Sequence, residues 1–221
     1  MALDTSTAKV EYSGILIRKR DLEIVLQGIP THRNPKVMLE QYTTPADLAA
    51  DILFHACYTY GDILGKSVID LGSGTGRLAL GAKILGAQSV LGMDIDHESV
   101  QSAHANSKRL GLEVDWLLTD IANVHGRFDT VLMNPPFGTK RLHSDVKFLR
   151  TALRIGKVTY SIHKSSTLPF LSRWLKDQEA SFEKLIETRM PIEHQFPFHA
   201  RKRYLVAVQV IRIHRQRATD A

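Results

Sequence analysis

The chain of 221 residues is 43% hydrophobic and 24% charged, the balance of a globular protein with room for one large core. Its single cysteine, Cys57, excludes a disulfide framework and leaves no thiolate set for a zinc site. No run approaches the roughly 18 unbroken apolar residues of a membrane helix, and a net charge of +6 tilts toward a polyanionic partner.

The segment from Met1 to Tyr12 carries Asp4, Lys9 and Glu11 and lacks the apolar stretch of a secretory signal, so the expected location is the cytoplasm, or the nucleus in a eukaryote. A helix is predicted from about Leu16 to Gln27, broken by Pro30, Asn34 and Pro35. The next helix starts with Thr44 as N-cap, Pro45 at its first position and Asp47 three residues on. It continues through Leu48, Ile52 and Leu53 to about Tyr58.

From Ser67 onward, short apolar runs alternate with helical ones. Strands are predicted at Val68–Leu71, Val90–Met93, Val114–Leu118, Asp129–Met133 and Val158–Ile162. Helices fall at Arg77–Leu85, His97–Leu110 and Val146–Ile155, the second capped by Asp96 and ended by Gly111. Such alternation predicts an α/β fold with a mostly parallel, doubly wound sheet. In the tail, Phe182–Arg189 and Tyr204–Ile213 read as strands with little helix between them, an antiparallel hairpin at one sheet edge. The chain divides into an N-terminal extension (1–35), one domain (36–215) and a short tail (216–221).

The first strand runs into Asp70-Leu71-Gly72-Ser73-Gly74-Thr75-Gly76, a glycine-rich turn at which a backbone can approach a nucleotide ligand. A dinucleotide fingerprint needs glycine at position 77, where this chain has Arg77. Asp70 repels a pyrophosphate but attracts the ammonium of S-adenosylmethionine (SAM). Asp94, at the end of the second strand, is placed to accept both ribose hydroxyls, and Asp120 after the third strand to meet the adenine amine. Gly72, Gly74 and Gly76, with Ile95 and Ile121 beside the two carboxylates, complete the expected cofactor set. A glycine turn alone would serve equally as a tight connection; the successive carboxylates separate the two readings.

The fourth strand ends in Asn134-Pro135-Pro136-Phe137, facing the same cleft. Two prolines stiffen the turn, so that the Asn134 side-chain oxygen and the Pro135 carbonyl can converge on one amino group. Phe137 offers a ring for stacking a planar group. An exocyclic adenine amine is a poor nucleophile because its lone pair is delocalised. Two acceptors on its hydrogens free that lone pair for in-line attack on a sulfonium methyl. A proline-rich turn with a capping Asn is the plainer alternative. No metal ligands are expected.

Together, Asp70–Gly76 and Asn134–Phe137 resemble the amino-methyltransferases that modify adenine N6, cytosine N4 or a protein glutamine. More narrowly, Leu39–Pro45, Met93–Asp96, Met133–Lys140 and Tyr160–Ser165 resemble the methyltransferase-like 5 family, small-subunit rRNA adenine-N6 methyltransferases. The resemblance covers about Pro35 to Ile213 and implies a Rossmann-like class I SAM-dependent fold. It also implies that Gln41 and Thr44 contact SAM, where the residues alone would give a loop and a cap. Ser73 and Thr75 stand where some members carry cysteines, a small change in a backbone-binding loop. A further implication is a small zinc-binding activator pairing with the edge strand Val114–Leu118; a plain edge with Trp116 packed inward is the alternative.

From His194 to Arg217 there is no acidic residue, while Arg201, Lys202, Arg203, Arg212, Arg215 and Arg217 supply six positive charges. Lys140 and Arg141, with His143, follow the Asn134 turn, and Arg18-Lys19-Arg20 form a third cluster. Read together they suggest a phosphate-tracking surface rather than solvated faces. Phe196, Phe198 and His199 either stack a base or pack the hairpin. His163 and Lys164 either touch substrate or cap the next helix. The expected function is SAM-dependent adenine-N6 methylation of structured RNA, small-subunit rRNA first. Protein-glutamine N5 methylation and a non-catalytic RNA-binding role on the same scaffold are the alternatives.

Overall fold

A computed structural model describes residues 17–32, 35–137, 144–193 and 203–215. Seven strands form one sheet in the order β3-β2-β1-β4-β5-β7-β6. They are β1 (Ser67–Leu71), β2 (Ser89–Asp94), β3 (Asp115–Leu118), β4 (Phe128–Met133), β5 (Gly156–Lys164), β6 (Ala180–Glu193) and β7 (Arg203–Arg215). The first five are parallel, and β7 runs antiparallel to both β5 and β6. The order steps one way from β1 to β3 and the other way from β4. That reversal opens a crevice at the carboxyl ends of β1 and β4.

The helices are α1 (Lys19–Gln27), α2 (Ala46–Phe54), α3 (Arg77–Ile84), α4 (His97–Leu110), α5 (Ser144–Ile155) and α6 (Leu168–Asp177). Strand alternation sends successive side chains to opposite faces, so the sheet has two cores. On one face Val68, Leu132, Tyr160 and Val210 pack with Leu22, Leu26, Leu53 and Leu80 of α1, α2 and α3. On the other, Ile69, Leu71, Val131 and Ile211 pack with Leu149, Leu171 and Leu175 of α5 and α6. Strands buried on both faces explain their nearly continuous apolar runs.

Several elements differ from the sequence reading. Helix α2 begins at Ala46 with Pro45 in the cap position; Thr44 is not its N-cap, because its hydroxyl is turned to Asn134 instead. The run to Tyr58 is completed by a π-helical turn at His55–Thr59. Helix α6, opening with Leu168 and Pro169, is the helix expected after the fifth strand, for which the sequence reading gives no bounds. The hairpin strands are longer than predicted. β5 pairs with β7 only as far as Lys164↔Val208, whereas β6 and β7 pair on to Glu193↔Arg203, so the ribbon projects past the sheet on the crevice side. At the opposite edge, Trp116 is packed inward: a Cβ at Gly92 would lie 2.1 Å from its ring and one at Gly76 2.6 Å. The indole N–H donates to Ser107 Oγ at 3.1 Å. Leu117 and Leu118 stay exposed on the open edge of β3.

Candidate active site

A cleft of about 560 Å³ opens at the carboxyl ends of β1, β2 and β4, lined by Asp70, Gly72, Gly74, Asp94, Ile95, Asp120, Ile121, Asn134 and Pro136. Strand ends carry the carboxylates and Asn134, and backbone turns carry the glycines. At Gly74 the backbone has φ +54°, and a Cβ there would meet His32 at 3.0 Å. Only glycine leaves that approach open.

The two interior carboxylates do different local work. Asp70 is buried and its Oδ2 accepts the Ala79 N–H at 3.0 Å, anchoring the first turn of α3. Burial pushes its carboxyl up to about 7, relieved in part by that N–H and reinforced by the nearby Asp94 charge. Asp94 shapes the glycine loop: Oδ2 accepts the Gly74 N–H at 2.9 Å and Oδ1 the Asp96 N–H at 2.9 Å. Burial raises its carboxyl too. Each oxygen retains a second lone pair. Asp120 is exposed; its Oδ1 caps the turn Ile121–Asn123 through the Ala122 N–H at 2.8 Å.

A strap formed by residues 36–45 lines one side of the cleft. The Gln41 side chain does not reach into it as a donor: its Nε2 donates to Asp96 Oδ2 at 3.0 Å and Ser99 Oγ at 3.2 Å, and its Oε1 accepts the Lys36 N–H at 2.7 Å. Burial works against the Asp96 charge, yet Lys36, Gln41 and Ser99 hold its carboxyl down to about 2. Arg77 fastens the same strap from below, donating to the Thr44 and Ile29 carbonyls from a buried position. The residue that breaks the dinucleotide fingerprint is therefore a tether.

Asn134 meets the strap directly. Its Nδ2 donates to the Tyr42 carbonyl at 3.0 Å and to Thr44 Oγ1 at 3.1 Å. A carbonyl accepts only, so the nitrogen must face Tyr42, and Oδ1 is left as the acceptor. Phe137 departs from the expected stacking role. It is 7% exposed and its ring lies on Tyr42, centroids 5.9 Å apart and planes at 27°, with Lys164 Nζ 5.6 Å from its centroid.

Other expected residues fall away from the cleft. Gly76 does not line it; at φ +89° it begins α3 beneath Trp116. His163 is 1% exposed inside the sheet, its Nε2 2.7 Å from Ser161 Oγ, and burial holds it down to about 3, so it neither meets substrate nor caps a helix. Arg18 and Lys19 are ion-paired with Asp21 and Asp51, and Arg212 with Asp62 and Glu183. Lys140, Arg141, His143, Phe196, Phe198, His199, Arg201, Lys202 and Arg217 lie outside the described residues, and of Arg203 only the backbone is described.

Sequence reasoning missed His32, Met38, Lys147, Phe148 and Arg150, all of which line the cleft. His32 sits against the glycine loop, its ring held below the usual histidine range by burial despite Asp94 and Asp96 nearby. A lone histidine between Pro30 and Pro35 carries no pattern that would have marked it.

The cleft fits SAM. Two inward carboxylates suit its cationic part and its ribose, the glycine cradle admits a close backbone approach, and Ile95, 56% exposed, offers an apolar wall for a purine. The buried Ser73 and Thr75 hydroxyls of the glycine loop have no hydrogen-bond partner among the described residues.

Comparison with known proteins agrees. Residues 43–155 match the Methyltransferase small domain. An uncharacterized protein of Methanocaldococcus jannaschii is 40% identical over 210 residues, covering 90% of this chain and 94% of that one. The rRNA N(6)-adenosine-methyltransferase Mettl5 of Drosophila melanogaster is 38% identical over 194 residues, covering 84% and 91%. A crystal structure from Pyrococcus horikoshii superposes with a TM-score of 0.83 at 37% identity, over 91% of this chain and 99% of that one. The fold is also that of magnesium protoporphyrin IX methyltransferase from Synechocystis crystallised with SAM, TM-score 0.55 at 15% identity, covering 91% and 99%. The fold is that of the class I SAM-dependent methyltransferases, and the cofactor is SAM.

Proposed function

The chain belongs to the methyltransferase-like 5 family of rRNA adenosine methyltransferases, and from that premise we propose that it methylates N6 of an adenosine in structured RNA, small-subunit rRNA before others. The observation that carries the reading is the state of Asn134. Both its amide hydrogens are spent on Tyr42 and Thr44, so its oxygen is fixed as an acceptor at the carboxyl end of β4.

When bound, SAM supplies an electrophilic methyl group on a sulfonium centre. Asn134 Oδ1 accepts one hydrogen of the target amine and holds its nitrogen with the lone pair out of the ring plane. The rigid Pro135-Pro136 turn keeps that oxygen from swinging away. Phe137 buttresses Tyr42, whose carbonyl in turn pins Asn134. Thr44 serves twice, its hydroxyl orienting Asn134 and its carbonyl tethered by Arg77. Asp70 and Asp94 hold the cofactor's cationic and ribose parts, and Asp120, Ile95 and Ile121 its adenine.

Glutamine N5 methylation presents a similar planar amide to Asn134, but the charge of the chain favours RNA. The activator expected at β3 would pair with the open edge beside Leu117 and Leu118; it stays part of this proposal. The test is nucleoside mass spectrometry of small-subunit rRNA after incubation with purified protein and SAM. The expected product is N6-methyladenosine. Methyl transfer only to protein glutamine, or to neither, overturns the reading.

A further inference from the structure

A second groove, of about 400 Å³, adjoins the cofactor cleft and shares Ala122, Arg150 and Thr151 with it. Its remaining polar lining is Arg154, Gln178 and Arg215. Three guanidinium groups thus converge from α5 and the end of β7. Outside the lining, Arg127 Nη1 donates to the Arg154 carbonyl at 3.1 Å.

The face of α5 leading there is chemically uniform. Between Asp145 and Ile155 the exposed residues are Lys147, Arg150 and Arg154, all basic, while the rest are buried except the half-buried Phe148. Spacings of three and four put the three on one stripe. At 1.5 Å per residue the stripe spans about 10 Å, three steps of a stacked strand at roughly 3.4 Å per nucleotide. Ordinary solvated helix faces interleave acids with bases; this one does not. Among the described residues Lys147, Arg150, Arg154 and Arg215 make no ion pair. Arg150 lines the groove with its guanidinium carbon 5.7 Å from the centroid of the Trp174 ring.

We propose that this groove docks backbone phosphates of the RNA substrate, along a track from Lys147 at the cleft to Arg154 and Arg215. The proposal rests on the RNA reading above and joins Arg215 of the basic tail to the basic stripe of α5. Guanidinium groups suit phosphate because their fork of donors matches two oxygens at once. Repulsion among cations held without carboxylates is relieved when phosphates bind and release their counterions.

The test compares the wild type with Arg154→Gln/Arg215→Gln, measuring affinity for a small-subunit rRNA fragment against salt. The slope of log affinity on log salt is expected to flatten by about 1.4–1.8 units, roughly 0.7–0.9 for each phosphate no longer neutralised. KM for RNA should rise roughly tenfold with kcat and SAM affinity unchanged, and Arg154→Lys/Arg215→Lys should restore most of the slope. An unchanged slope in a variant that binds SAM normally overturns the groove while leaving the RNA reading intact. Inorganic phosphate binding to the wild type as tightly as the fragment would also overturn it, marking a small-anion site. A wild type that neither methylates RNA nor shows a salt slope defeats the RNA reading itself, and the groove with it.

Discussion

At the carboxyl ends of β1, β2 and β4, Asp70 is a buried carboxyl with no cation beside it, and the Asn134 oxygen has no partner, among the described residues. Across the sheet, where β5 and the hairpin meet the turn before β1, Asp62 Oδ2 accepts the Tyr160 hydroxyl at 2.7 Å and Arg212 Nε at 2.9 Å. Arg212 Nη1 reaches Glu183 Oε1 at 3.0 Å, Tyr60 donates to Glu183 Oε2 at 3.0 Å, and the guanidinium lies 4.5 Å over the Tyr60 ring. Burial opposes the Arg212 charge, but Asp62 holds it above its ordinary value. Polar groups with spent partners hold the fold together, and groups with unspent ones wait for a ligand.

The comparison is broken most sharply at Asn134. Asn134→Ala is expected to lower single-turnover methyl transfer by about 10²–10³-fold while SAM affinity stays within about twofold. A variant retaining more than half the rate removes Asn134 from the chemistry. Asn134→Asp should fare as badly, because a carboxylate oxygen would face the Tyr42 carbonyl.

At the other region the expected loss is in stability. Arg212→Ala leaves Asp62, only 17% exposed, without its cation and with only the Tyr160 hydroxyl against it. About 2–4 kcal/mol should be lost in urea denaturation, with SAM affinity unchanged; a change in affinity without a change in stability would reverse the assignment of the two regions.

Asp70→Asn should do the opposite of Arg212→Ala. The Ala79 N–H keeps an acceptor, the buried charge is gone, and the cofactor-free protein at pH 8 should gain about 1–3 kcal/mol while SAM binds roughly 10–100-fold more weakly. The sign follows from protonation. The folded carboxyl, at about 7, lies above its ordinary 3.8, so the folded state binds the extra proton between those values. Stability from this group is therefore complete below pH 4 and is lost as pH rises through 7. SAM affinity should run the other way, improving up to about tenfold per pH unit and levelling above 7. Denaturation at pH 5 and pH 8, with and without SAM, checks both; equal pH slopes in the wild type and Asp70→Asn would contradict them.

The smallest expected effect is at the strap. Gln41→Ala removes three hydrogen bonds on a half-exposed segment, and a loss of about 1 kcal/mol should appear as a three- to tenfold faster SAM off-rate in stopped flow. No change would mean that Lys36 and Asp96 hold the strap unaided.

Features set by neighbours in the chain were legible. Helix α4 has the predicted bounds because Asp96 accepts the Ser99 N–H at one end and Gly111, at φ 66°, closes the other. The parallel order followed from strand–helix alternation, and the hairpin's place at an edge from two strands with no helix between them. The glycine loop and the Asn-Pro-Pro-Phe turn announced themselves because each is a short run whose backbone and side chains act together.

What the sequence by itself determined is the fold class, the cofactor loop and the position of Asn134, since period, caps and turn residues act over a few positions. Only the tertiary structure decided which polar side chains were already spent. Thr44 reads as a cap until Asn134, 90 residues away, claims its hydroxyl. Arg77 reads as a mismatch until the Ile29 carbonyl, 48 residues back, accepts it. His163 reads as a substrate contact until the two-sided core buries it, and Phe137 as a stacking platform until Tyr42 covers it. Hydrogen bonds and burial are satisfied by whatever lies nearby in space, and chain separation carries no trace of that pairing.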